Sequence, residues 1–233
     1  MLRLHDVSVG YGSHLALAPV SGAFKAGALT AIVGANGAGK SSLLKAMVGL
    51  VPCASGHVDR GSLRAAQVAY LPQQAALDRS FPISVGDLVG MGDWARSGWA
   101  GALFPRLRGR IDAALASVGM AGMAGRSIAA LSVGQFQRVL FARLCVQDAP
   151  VLLLDEPFAA VDEATTRILL DLMLAWGRDG RTVIAVLHDL AMVRAHFPQT
   201  LLLAGGPVAW NATTDVLPAA GLPASLALPW DAS

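Results

Sequence analysis

The sequence predicts an α/β fold built on a parallel sheet, with a mainly helical insertion in its middle. Three observations predict it. Strand-length apolar runs recur along the 233-residue chain, at Leu29–Val33, Val151–Leu154, Thr182–Leu187 and Leu201–Ala204. Stretches with helical spacing and helix-ending glycines lie between them. Residues from about 75 to 147 change character, with fewer β-branched runs and more Ala, Gly and Arg. Strands alternating with helices favour parallel pairing, and strands covered on both faces read as unbroken apolar runs.

In chain order, Leu2 to Val9 alternates apolar and polar residues, as a half-buried strand does, and Gly10-Tyr11-Gly12 predicts a turn. Leu29–Val33 leads into glycine-rich residues 34 to 39. A helix is expected from Lys40 through Leu43, Leu44 and Met47 to about Gly49, with Pro52 beyond. Gln67 to Leu71 predicts another strand. Asp162 is a candidate N-cap for a helix ending near Gly180. After about residue 212, with Pro218, Pro223 and Pro229, no element is predicted.

Hydrophobic residues make up 54% and charged residues 15% of the chain, so membrane spans must be considered. A span needs roughly 18 or more consecutive apolar residues, and the sequence contains no such run. The apolar excess instead predicts a surface that partners cover. Met1 to Asp6 lacks the apolar core of a signal peptide, which points to the cytoplasm. With net charge +2, and Arg106, Arg108 and Arg110 read as solvated surface, nothing predicts nucleic-acid binding. Cys53 and Cys145 lack metal spacing and are expected as buried free thiols in a reducing compartment. The five histidines show no ligand spacing, so no transported metal is expected to bind this chain.

Gly34-Ala-Asn36-Gly37-Ala-Gly39-Lys40-Ser41 fits G-x-x-x-x-G-K-[ST] between an apolar strand and a helix, and Ser42 follows it. Glycines let the backbone curl until its N–H groups face phosphate oxygens, and the helix N-terminus adds positive potential. Lys40 would bring a charge to the β- and γ-phosphates and Ser41 a hydroxyl to Mg²⁺. One of only three lysines stands at the required place. This element alone says that a nucleoside triphosphate binds. Downstream, Val151–Leu154 ends in Asp155-Glu156-Pro157. An Asp at a strand's carboxyl end can hold Mg²⁺, and Glu156 could orient and deprotonate an attacking water.

Leu131-Ser132-Val133-Gly134-Gln135, then Gln137-Arg138, lies about 20 residues before these acids. In that place it resembles the L-S-G-G-Q-x-Q-R signature of the ABC ATPases. The resemblance implies a P-loop NTPase core (about 1–74 and 148–233) with an N-terminal antiparallel β subdomain and a helical subdomain (about 75–147), all one domain. It implies a homodimer in which Ser132, Gly134 and Gln135 of one copy face the γ-phosphate of ATP held by the other. Tyr11 resembles the aromatic that stacks on adenine. Gln73, or its neighbour Gln74, resembles the glutamine that touches Mg²⁺ and the attacking water. Asp162 matches a loop crossing the dimer seam, or caps a helix, or does both. His188 resembles the histidine that senses the γ-phosphate. Val133 stands where the family has glycine. A stiff β-branched residue, which disfavours positive φ, should weaken the dimer or slow hydrolysis if the backbone there must approach phosphate closely, and is tolerated if its φ is ordinary.

Tyr70-Leu-Pro-Gln and Asp78-Arg-Ser-Phe-Pro-Ile-Ser-Val are similar to segments of bacterial zinc and manganese importers. Within that group zinc is the first expectation, manganese or iron the second. Rival readings are an importer of haem, cobalamin or a siderophore complex, a non-transport ABC ATPase, and a nucleotide-gated module with little turnover. The resemblance further implies permease subunits in the membrane, an indirect link to a substrate-binding protein, and a place on the cytoplasmic face.

Overall fold

The computed structural model describes residues 1–73, 79, 81–94 and 105–218. Gln74, Asp78, Ser80 and the tail beyond Pro218 therefore lie outside the described residues.

Two sheets carry the fold. Leu2–Tyr11 (β1), His14–Phe24 (β2) and Ser55–Asp59 (β4) form an antiparallel sheet in the order β2-β1-β4. Leu29–Gly34 (β3), Val68–Leu71 (β5), Val151–Asp155 (β6), Thr182–Val186 (β7), Gln199–Leu203 (β8) and Pro207–Ala212 (β9) form the second, ordered β5-β6-β7-β3-β8-β9. All pairs in it are parallel except β8–β9.

The apolar runs of this sheet serve two cores. Ala31, Val33, Leu152, Leu154, Val183, Ala185 and Leu202 pack into one. Their neighbours Ile32, Val151, Leu153, Ile184, Val186, Leu201 and Leu203 pack into the other. A strand's side chains alternate between faces, so burial on both sides favours apolar residues at successive positions.

Strand β1 departs from simple alternation. Leu2 and Leu4 are buried, and so are Val7 and Val9, an odd step that would turn one pair to solvent in a regular strand. A bulge between Leu4 and Val7, with Asp6 at φ 47, absorbs the extra residue. Tyr11 pairs with His14, so the turn expected at residues 10–12 is in fact Gly12–Ser13. Strand β2 was hidden by Pro19 and Gly22. It lies at the sheet's edge, where proline's missing donor is tolerated. A Cβ on Gly22 would strike the Trp210 ring, which packs on Phe24 at 4.6 Å and joins the two sheets.

The helices are Lys40–Val48 (α1), Val85–Gly90 (α2), Pro105–Ser117 (α3), Val133–Gln147 (α4), Glu163–Arg178 (α5), Leu190–His196 (α6) and Thr213–Val216 (α7). Helix α1 lies between the sheets, burying Leu43, Leu44 and Met47. Helix α4 packs against α2, α3, α5 and β5, and Phe141 stacks on Trp176 of α5 at 5.7 Å. Two surface expectations are corrected. Arg110 is not solvated surface: it is half-buried, paired with Asp93 and donating to the Val146 carbonyl. Cys53 and Cys145 are free but only half-buried, and burial pushes the Cys145 thiol pKa up. Among the described residues no helix is long and apolar enough to cross a membrane.

Candidate nucleotide site

The parallel order places the candidate residues together. Gly34 ends β3, Asp155 ends β6, Gln73 follows β5 and His188 follows β7. All therefore sit at the carboxyl ends of neighbouring strands, where open α/β sheets bind their ligands.

Residues 35 to 39 carry the chain from β3 into α1. A Cβ on Gly34 would strike the Leu203 carbonyl oxygen, and one on Gly39, at φ 89, would lie 2.5 Å from that of Ala16. Gly37, at φ 81, faces open space. No side chain caps the start of α1, so its first N–H groups remain available to an anion. Asn36, Gly37, Lys40, Ser41, Ser42 and Glu156 are among the residues lining a cavity of about 270 Å³. His14 lines it too, a residue that nothing in the sequence singled out. Lys40 is 6% exposed, and its ammonium donates to the carbonyls of Gly34 (2.7 Å) and Ala35 (2.8 Å). Burial pushes its pKa down, and the charges of Glu156 and Asp155 oppose that shift. Tyr11 is exposed beside the loop, its hydroxyl 3.4 Å from Ser42 Oγ.

Asp155 is 1% exposed. Ser41 Oγ donates to its Oδ1 at 2.8 Å and the Tyr70 hydroxyl to its Oδ2 at 3.3 Å. Burial pushes the Asp155 pKa up, and these two hydrogen bonds partly counter it. The sequence pattern around Tyr70 assigns it no role. Its signal was its place in β5, the strand hydrogen-bonded to β6. Glu156 holds φ 49, the left-handed region, directly before Pro157. That backbone is costly for a non-glycine residue and occurs mainly where a site demands it. Its carboxylate accepts from Gln73 Nε2 and from His188 Nε2, each at 2.8 Å. A carboxylate only accepts, so the His188 tautomer facing it carries its proton on Nε2.

The signature-like residues gather elsewhere. Ser132 caps α4: its Oγ accepts from Gln135 N at 3.2 Å, while Gln135 Oε1 accepts from Ser132 N at 3.0 Å. Val133 is the first helical residue and is not among those with positive φ. The local backbone conformation there therefore does not require glycine. A Cβ on Gly134 would lie 3.1 Å from Thr165 Oγ1 and 3.4 Å from Asp162 Oδ2, so it packs against the start of α5. Asp162 does cap that helix, accepting from Thr165 N at 2.7 Å. Ser132, Gly134 and Gln135 do not line the phosphate-loop cavity of their own chain.

The sequence profile described as ABC transporter matches residues 17–159. A zinc transport system ATP-binding protein of Treponema pallidum is 40% identical over 87% of this chain and 77% of its own. The chain belongs to the ABC transporter family. It is an ATP-binding, ABC-type ATPase. A manganese transport system ATP-binding protein of Bacillus subtilis is 39% identical over 92% of this ABC ATPase and 88% of its own length. Among solved structures, an inward-facing ABC transporter described as of metal-chelate type has a TM-score of 0.81 at 26% identity, covering 93% of this chain and 84% of that one. A dimeric ATP-binding cassette bound to ADP and phosphate shares the fold, with a TM-score of 0.79 at 24% identity over 91% of this chain and 99% of that one.

Proposed function

We propose that this ABC ATPase hydrolyses ATP as a homodimer to power uptake of a metal ion, with zinc the first assignment. The observation that carries the hydrolytic part is the Glu156 carboxylate, held by Gln73 and His188 and lining the same cavity as the phosphate loop. In this reading Asn36, Gly37, Gly39 and Ser42 cradle the phosphates while Lys40 leaves its two carbonyls for the β- and γ-oxygens. Tyr11 stacks on the base. Glu156 orients the attacking water and takes its proton. His188 and Gln73 fix the carboxylate and sense the γ-phosphate. Ser132, Gly134 and Gln135 come from the second copy, and Asp162 lies at the seam between the two.

Ser41 and Asp155, with Gln73, would hold Mg²⁺. Their oxygens suit a hard cation, and Ser41 Oγ already lies 2.8 Å from Asp155 Oδ1. When bound, Mg²⁺ neutralises charge on the phosphates. The lobe formed by residues of about 75–147 would receive a cytoplasmic helix of a membrane permease, placing the protein on the inner face of the membrane.

The metal assignment follows from relatives named for zinc and for manganese transport at 40% and 39% identity. Manganese is the second reading, motivated by that second relative. The test is the ATPase rate of the complex with its permease. Stimulation by a zinc-loaded binding protein and not by a manganese-loaded one supports zinc, and the reverse overturns it. Phosphate release equal in wild type and Glu156→Gln would end the hydrolytic reading.

A further inference from the structure

Gln137 lies in the second turn of α4, five residues after the Ser132 cap, and is only 2% exposed. Its Nε2 donates to the carbonyl of Pro157 at 2.7 Å. A carbonyl only accepts, which fixes the amide's orientation. Its Oε1 is buried with no hydrogen-bond partner among the described residues. Burying an amide with one end unsatisfied is unfavourable, and an apolar side chain of the same length would fill the space without that cost. The amide must therefore act through the bond it does make. That bond reaches the residue directly after Glu156, whose backbone stands at φ 49. Proline's ring locks its own φ, so holding the Pro157 carbonyl restricts the whole Glu156–Pro157 turn.

We propose that Gln137 is a positioning residue. Its buried amide holds the Pro157 carbonyl so that the strained turn keeps the Glu156 carboxylate between Gln73 and His188. The same contact joins that turn to the helix capped by Ser132. A displacement at the cap would then reach Glu156 through one rigid helix turn and one hydrogen bond. The inference rests on the reading of Glu156 as the group that activates water.

The test compares the full-length chain with Gln137→Met, Gln137→Glu and Glu156→Gln. Gln137→Met keeps length and burial and loses the donor. Its kcat is expected to fall about 10- to 100-fold, the scale of a misplaced catalytic group. Its KM, and its affinity for a fluorescent ATP analogue, should stay within about threefold of wild type. A merely structural residue would instead lower Tm and nucleotide affinity together. Gln137→Glu can donate only when protonated, so its kcat relative to wild type should fall as pH rises. If Gln137→Met does not fold, this ratio decides, and a pH-independent ratio overturns the proposal. A wild-type kcat in Gln137→Met beside an inactive Glu156→Gln overturns the inference alone. Wild-type turnover in Glu156→Gln overturns the parent reading and the inference with it.

Discussion

His188 and Glu156, 32 residues apart in the chain, meet at 2.8 Å because their strands are neighbours in the parallel sheet. The second oxygen of the same carboxylate accepts from Gln73, which follows the strand on the other side. One carboxylate thus ties together the ends of three adjacent strands. Replacing it by an amide turns an acceptor into a donor facing a donor. Glu156→Gln should lower phosphate release by about 100-fold or more, the usual share of a general base, while ATP still binds. ATP should then hold a long-lived dimer, seen as a shift in elution volume that wild type shows only transiently. Loss of ATP binding in this variant would contradict the assignment.

The carboxylate of Asp155 gives a prediction about stability. Burial raises its pKa above the ordinary 3.8. Between that value and the raised one, the folded chain holds a proton that the unfolded chain has released. Stability therefore falls as pH rises through this window, and the deficit persists above it. Asp155→Asn removes the deficit. The amide oxygen can still accept from Ser41, and the Tyr70 hydroxyl can reverse to accept from the amide nitrogen. A gain of about 1 kcal/mol, or about 2–4 °C in Tm for a chain of this size, is expected at neutral pH without nucleotide. The gain should vanish at a pH below the window, and Mg²⁺-dependent ATPase activity should be lost. A drop in Tm at neutral pH would show that the charge is better compensated than its burial indicates.

The phosphate loop separates two uses of glycine. Gly39→Ala would bring a Cβ within 2.5 Å of the Ala16 carbonyl and 2.9 Å of Leu17, at φ 89. Gly37→Ala meets nothing within 4 Å and bears only the cost of its φ of 81. The first should therefore lose more stability than the second, which costs about 1 kcal/mol. Thermal melts of the two variants check the order. Equal losses would show that the loop moves to relieve the contact.

Much of this was legible because function and fold share the same local rules. The loop from Gly34 to Ser41 needs glycines, a lysine and a hydroxyl at set spacings, and the strand of Val151 to Asp155 needs apolar residues on both faces. Each leaves a dense local pattern. Strand β2 did not, since Pro19 and Gly22 obey the demands of an edge and of the Trp210 ring rather than those of a strand interior. The contacts of Tyr70 and Gln137, both within recognisable segments, are illegible for another reason. Their partners, Asp155 and Pro157, are 85 and 20 residues distant in the chain, and only the packing of strands and helices brings them together. Arg110 looks solvated in the sequence because the buried Asp93 it pairs with lies 17 residues away.

At Val133, where the family has glycine, the backbone conformation is one that any residue adopts. The residue occupies the first turn of α4, is 39% exposed, and is not among the residues with positive φ. Glycine is thus not needed for the local conformation. Val133→Gly gives the unfolded chain more freedom and should lower stability by about 0.5–1 kcal/mol. The capping contacts of Ser132 and Gln135 do not involve the Val133 side chain, so they should survive the change. Turnover is accordingly expected within about twofold of wild type, because a shift of one RT or less in barrier height changes rate little more than that. The paired measurement is Tm and ATPase rate on the same preparation. A several-fold rise in rate would mean that the exposed side chain crowds the approach of the second copy, and that the chain trades speed for something this position protects.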